Sequence, residues 1–127
     1  MKFKNVVIQS LAAVDPPIRV TSREIEQKLQ PTLERLGVRE DLLEEVSGIA
    51  ARRFWEKGTS PSDAATLAAE KALDEAGIDR QRVGVIINTS VCRDYLEPST
   101  ACIVHGNLGL SDDCLNFDVG NACLAFM

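Results

Sequence analysis

Apolar and polar positions change period several times along this chain. Phe3 to Val14 has an apolar middle at Val6, Val7 and Ile8, which predicts a strand. Pro16 and Pro17 end it, because proline removes ladder donors. Thr21 followed by Glu24 has capping-box spacing, and Ile25, Leu29, Leu33 and Leu36 then recur at helical intervals. Pro31 predicts a division of this segment into two short helices, closed by Gly37. Asp41 to Val46 predicts a short helical piece ending at Gly48, and Ile49 to Trp55 reads as a strand carrying Arg52 and Arg53. Ser60 as N-cap, Pro61 at the first helical position and Asp63 in the first turn predict a helix to about Ala76, stopped by Gly77. Its alanines favour helix and permit close approach of a neighbouring layer.

Val83 to Ser90 is a continuous apolar run, the pattern of a strand covered on both faces in a parallel sheet. Pro98 predicts the start of a helix through about Leu108, stopped by Gly109. In Cys114 to Val119, Leu115, Phe117 and Val119 alternate with Cys114, Asn116 and Asp118, a strand pattern. Strands alternating with helices predict a layered α/β fold with a mixed, mainly parallel sheet. Asn121 to Met127 reads as the first turn of an apolar helix. Seven residues at a free end make a marginal helix. The expectation is therefore an artificial end at Met127, or a second polypeptide that supplies the rest.

Composition narrows the class. The 127 residues are 45% apolar and 26% charged, which fits one globular domain and argues against disorder. The net charge of −5 argues against broad nucleic-acid binding. No apolar run approaches the roughly 20 residues needed to span a bilayer. The N-terminus carries no signal-peptide cleavage pattern, so the reading is cytoplasmic. Four cysteines (Cys92, Cys102, Cys114 and Cys123) form no C-x-x-C pair, which argues against a metal site and against a disulfide framework.

The candidate chemistry lies near the end. Cys123 follows Asp118-Val119-Gly120-Asn121-Ala122, a strand running into a tight turn. Such a turn exposes a sulfur, and a helix N-terminus favours its thiolate. Gly120 supplies the backbone freedom expected of a sharp turn. On these grounds an exposed nucleophile and a small buried apolar residue both remain open.

The stretch D-V-G-N-A-C-L-A-F (Asp118 to Phe126) resembles the active-site cysteine segment of 3-oxoacyl-ACP synthase III and its relatives in the thiolase superfamily. R-D-Y-L-E-P-S-T-A (Arg93 to Ala101) and G-N-L-G-L (Gly106 to Leu110) fit the same region. Together with Q-P-T-L-E-R-L-G (Gln30 to Gly37), A-R-R-F-W (Ala51 to Trp55) and S-D-A-A-T (Ser62 to Thr66), they look most like the branch that condenses two acyl-CoA molecules head to head in bacterial long-chain olefin biosynthesis.

The resemblance implies the N-terminal half of a thiolase-like fold and a homodimer. It implies that Cys123 accepts a fatty acyl group from acyl-CoA. It also implies that Glu97, 26 residues earlier, is the base that deprotonates a second acyl-CoA across the dimer. The backbone N–H of Cys123 is the expected local oxyanion donor. Arg52 and Arg53 are candidate contacts to CoA phosphates, or else surface charges flanking a strand. No permanently bound cofactor is expected. The family's active-site histidine and asparagine belong to a C-terminal half absent from this sequence, so His105 is expected to be structural, and Asn88 and Asn121 to be turn or strand-end hydrogen bonders.

The sequence also departs from the synthase III pattern. Leu42 and Val46 stand where that family carries a tryptophan and an arginine that clamp the CoA adenine, and Ala125 replaces a common glycine. Two alternatives accompany this reading. One is a synthase III that condenses acyl-CoA with malonyl-ACP. The other is an inactive fragment, or a subunit that needs a partner chain.

Overall fold

The computed structural model describes residues 4–126, which form two compact units. One unit is Asp15–Gly58. The other joins the described residues up to Val14 to those from Thr59 onward.

In Asp15–Gly58, strand β1 (Ile18–Thr21) pairs antiparallel with β2 (Ala51–Phe54), with Ile18 opposite Phe54 and Thr21 opposite Ala51. Helix α1 (Ser22–Arg35) follows β1 without a loop. Thr21 and Glu24 close the expected capping box: the Glu24 N–H donates to Thr21 Oγ1 at 3.1 Å, and the Thr21 N–H donates to Glu24 Oε2 at 2.6 Å. Pro31 does not divide this helix, contrary to expectation. The proline removes one N–H, and the carbonyl it would have bonded belongs to Gln27, an exposed residue whose carbonyl has water as an alternative partner. Helix α2 (Leu42–Ser47) is the short piece expected after Asp41. The buried carboxylate of Glu26 accepts from the N–H groups of Asp41 (2.8 Å) and Leu43 (2.7 Å), so one helix supplies the start of the next.

The second unit contains helix α3 (Pro61–Ala76), strand β3 (Val85–Asn88), helix α4 (Thr100–Leu108) and strand β4 (Leu115–Asp118). β3 and β4 are parallel, with Val85 opposite Leu115 and Asn88 opposite Asp118. Among the described residues the parallel pairing expected from the sequence is realised in this pair, while β1–β2 is antiparallel. Ala101, Val104 and Leu108 of α4 are buried, as are Leu110 and Cys114 in the connection to β4. Ala65 and Ala69 of α3, Val83, and Ile86 of β3 pack against this cluster. The small alanines let α3 lie close to α4.

Three further expectations change. Val6, Val7 and Ile8 form no strand, because no described strand offers them a ladder, and they remain exposed; Phe3 lies outside the described residues. The segment is held instead at α3, where Lys71 Nζ donates to the Ala13 carbonyl at 2.9 Å. The β3–β4 pair is covered on one face only among the described residues. Val85, Ile87, Leu115 and Phe117 point away from α4 and stay exposed. Finally, α4 begins at Thr100 rather than Pro98, because the Ser99 side chain accepts from the Cys102 N–H (3.1 Å) and sets the cap there.

Candidate active site

Parallel pairing brings the C-terminal ends of β3 and β4 to the same edge. Asn88 leads into the segment that carries Glu97, and Asp118 leads into the turn that carries Cys123. Val119 N–H donates to the Asn88 carbonyl at 2.8 Å, which extends the pairing into the turn.

The four cysteines separate by environment. Cys114 is buried in the core, whereas Cys123 is exposed. Among the described residues Cys92 and Cys102 are exposed as well. Cys123 sits in a single 3-10 turn, Ala122–Leu124, rather than at the start of the longer helix expected, and Met127 lies outside the described residues. The left-handed backbone is also not where the sequence pointed. Ala122 has φ 44°, a conformation costly for a residue with a β-carbon, while Gly120 does not adopt positive φ. Gly120 instead sits close to Arg93: a β-carbon there would lie 3.0 Å from Arg93 Nη2, a contact the exposed arginine would have to yield to. Leu124 donates its N–H to the Asn121 carbonyl (2.9 Å) and Ala125 to Ala122 (3.3 Å), and the Cys123 N–H takes part in neither bond. Asn121 thus serves the turn through its backbone.

Glu97 is exposed and bonds to no described residue, and its peptide bond to Pro98 is cis. The ordinary role for a carboxylate here, offsetting the positive end of α4, belongs to Asp118. Its Oδ2 accepts from Thr100 N–H (3.0 Å) and its Oδ1 from Ala101 N–H (2.8 Å). Upstream, Asp94 Oδ1 accepts from the Ser62 N–H at the first turn of α3 (3.0 Å). Asp118, Asp94 and Arg93 thus shape the site although sequence reasoning gave none of them a role. The contacts join residues 17 to 32 positions apart, so local patterns carried no signal for them.

Two buried donors lie beside Asp118. Asn88 Nδ2 and Thr100 Oγ1 find no hydrogen-bond partner among the described residues. Asn88 Oδ1 accepts from the Ser90 N–H at 3.3 Å, the strand-end role expected of it. His105 Nε2–H donates to the Ser111 carbonyl (3.0 Å) and fastens the loop after α4, which fits a structural role.

Arg52 and Arg53 belong to the Asp15–Gly58 unit. Arg52 is half-buried and donates to Ser22 Oγ (2.9 Å), which in turn donates to the Ile49 carbonyl. Arg53 is exposed and donates to the Pro16 carbonyl at 3.1 Å. Each guanidinium makes one such bond, and Arg53 is the more exposed of the two. Among the described residues, no cluster of histidine, cysteine and carboxylate side chains has a metal-binding arrangement, and no helix is long and apolar enough to cross a membrane.

No family model matches the sequence. Over its full length the chain is 58% identical to the acyl-CoA:acyl-CoA alkyltransferase of Xanthomonas campestris and spans 38% of that protein. Among solved structures, cerulenin-bound OleA from Xanthomonas campestris superposes with a TM-score of 0.92 at 59% identity, over 98% of this chain and 36% of that one. A 3-oxoacyl-(acyl carrier protein) synthase III, FabH, from Xanthomonas oryzae superposes with a TM-score of 0.94, also at 59% identity, over 99% of this chain and 37% of that one. The chain thus has the fold of the N-terminal part of these thiolase-like condensing enzymes and spans little more than a third of their length. The Xanthomonas campestris OleA has also been solved as two separate variants, one with a cysteine changed to alanine and one with a glutamate changed to glutamine, at positions 26 residues apart.

Proposed function

We propose that this chain carries the nucleophile and the carbon-acid base of a head-to-head acyl-CoA condensing enzyme. In this scheme Cys123 Sγ attacks the thioester carbonyl of one fatty acyl-CoA. The C–S bond to CoA breaks, CoA leaves as its thiol, and the acyl group stays on the sulfur. The Glu97 carboxylate then takes a proton from the α-carbon of a second acyl-CoA. That carbon attacks the Cys123 thioester, a carbon–carbon bond forms, and the cysteine thiolate is released. Water cleaves the remaining CoA thioester to give a 2-alkyl-3-oxoalkanoic acid, a precursor for long-chain olefins. The Cys123 N–H is an oxyanion donor in both acyl-transfer steps. Arg53, with Arg52 behind it, is a contact for a CoA phosphate. A cytoplasmic homodimer completed by a C-terminal half, with no bound cofactor, belongs to the same reading.

The observation that carries the proposal is an exposed cysteine and an uncommitted glutamate on the two segments leaving one edge of β3–β4. Their separation of 26 residues equals that of the glutamate and cysteine altered in the Xanthomonas campestris OleA. The 58% identity to an enzyme named for using two acyl-CoA molecules supports the substrate class.

A second reading draws on the 59% identity to a protein named 3-oxoacyl-ACP synthase III. There the attacking carbon arises by loss of carbon dioxide from malonyl-ACP, and no carboxylate base is needed. Glu97→Gln in the complete protein separates the two. Condensation of acyl-CoA alone is expected to fall by about 10²- to 10⁴-fold, with acylation of Cys123 retained. A variant that condenses acyl-CoA at the original rate removes Glu97 from the mechanism. Rapid condensation with malonyl-ACP in its place establishes the decarboxylative reading.

A further inference from the structure

The Glu97 segment is anchored at both ends by carboxylates seated on helix starts. Before it, Asp94 accepts from Ser62 N–H at α3. After it, Asp118 accepts from Thr100 and Ala101 N–H, three and four residues beyond Glu97. Thr100 and Ala101 are fully buried, so the end of the segment nearest the base is fixed in the protein interior. Asp118 lies in the strand that delivers Cys123, and its own backbone is held independently by the ladder to β3. Its side chain therefore has one visible task, which is to set where α4, and the residues leading into it, begin. Arg93, from the Glu97 segment, also passes close to the Cys123 turn, since a β-carbon built on Gly120 would lie 3.0 Å from Arg93 Nη2.

We infer that Asp118 is a positioning residue for condensation: its carboxylate, bonded to the first two N–H groups of α4, fixes the approach of Glu97 to the α-carbon of the second acyl group. The inference rests on Glu97 being the base and holds whichever protomer's cysteine that base serves. Asp118 touches no reacting atom. Its loss leaves two buried N–H groups unmet, next to the already unpartnered Thr100 Oγ1 and Asn88 Nδ2. The start of α4 must then shift, and a misplacement of about 1 Å costs on the order of 100-fold in a bond-forming step.

The test is a double-mutant cycle in the complete protein, read out in two partial reactions. Acylation is followed by CoA release and by the mass of the acyl-enzyme. Base function is followed by washout of α-deuterium from labelled acyl-CoA and by product formation. Asp118→Ala is expected to lower washout and condensation together by about 10- to 100-fold, with acylation within about threefold of the original and KM little changed. In a Glu97→Gln background the same substitution is expected to cost nothing further, because the group it positions is already gone. Equal losses in acylation and condensation, or an undiminished cost in the Glu97→Gln background, would reduce Asp118 to a fold residue. Failure of the Glu97 assignment shows separately, as an active Glu97→Gln single variant.

If Asp118→Ala does not fold, the other anchor supplies the evidence. Asp94→Asn keeps an oxygen for its single hydrogen bond and should retain condensation. Asp94→Ala should lose condensation but keep acylation. Indistinguishable behaviour of the two Asp94 variants would overturn the positional account.

Discussion

The two compact units solve the same problem with different materials. In Asp15–Gly58 the buried residues are polar: Ser22, which bonds Arg52 and Ile49, and Glu26, which holds the start of α2. Its larger apolar side chains, among them Ile18, Leu29 and Phe54, stay on the surface along α1 and the β1–β2 pair. In the other unit an apolar cluster of Val104, Leu108, Leu110 and Cys114 is sealed, and carboxylates act at its rim. There Asp63, Asp94 and Asp118 are each engaged at a helix start, while Glu97 is not. The contrast separates carboxylates with a structural task from one without. The helix starts on either side of Glu97 are already served by Asp94 and Asp118, which leaves Glu97 free for the role of base proposed above.

Three measurements sharpen or break this contrast, the first by the largest effect. Leu108→Ala empties part of the sealed cluster and should destabilise its unit by about 2–5 kcal/mol. Amide hydrogen exchange should show α3, α4, β3 and β4 opening more often while α1 and α2 keep their protection. Equal loss of protection in both units would mean that they unfold as one body. Glu26→Ala removes a buried acceptor of two N–H groups and should loosen α2 by about 1–3 kcal/mol. Here the expected change in exchange is confined to Asp15–Gly58. An unchanged α2 would show that water replaces the carboxylate there at no cost.

The third effect is the smallest and appears in both units. Hydrogen bonds from Thr21, side chain first and backbone second, hold the Glu24 carboxyl below its ordinary range. Those from Ser60, backbone first, do the same for Asp63. Because these groups have lowered values in the folded protein, their contribution is full above the unfolded-state values, near 4, and disappears as pH falls through the folded ones. The first turns of α1 and α3 should fray on acidification below about pH 4, which NMR of their amides would detect. Glu24→Gln and Asp63→Asn should each remove that dependence at its own helix. Persistence of the fraying in both variants would assign it to other groups.

Local chemistry was legible in the sequence wherever neighbours along the chain decide it. The capping box at Thr21, the N-cap at Ser60, the stop at Gly77 and the short strands at Ala51–Phe54, Val85–Asn88 and Leu115–Asp118 follow from spacing and turn residues. Features settled at a distance were not legible. Pro31 stayed within one helix because the carbonyl it leaves unpaired belongs to the exposed Gln27, where water is an alternative partner. Val6 to Ile8 formed no strand because pairing requires a second segment. The start of α4 moved to Thr100, where Ser99 caps from within the helix sequence and Asp118 caps from 18 residues away. The cysteine was legible as a candidate, but its exposure was not. Backbone freedom was expected at Gly120 by residue type, whereas the positive φ falls at Ala122.

The parallel register of β3 and β4 carries a further consequence for how such a molecule can vary. Both segments bearing the candidate chemistry leave from one edge of the pair. The connections from Ile78 to Gly84 and from Leu110 to Cys114 enter at the opposite edge. Lengthening either entry loop at its exposed positions, Gln81–Arg82 or Asp112–Asp113, changes the surface far from Glu97 and Cys123 and leaves the buried Leu110 and Cys114 in place, whereas inserting a residue after Asn88 or Asp118 changes the candidate site itself. The pair thus divides its loops into a conservative edge and a permissive one. A library of insertions should find its tolerated members almost entirely on the permissive side.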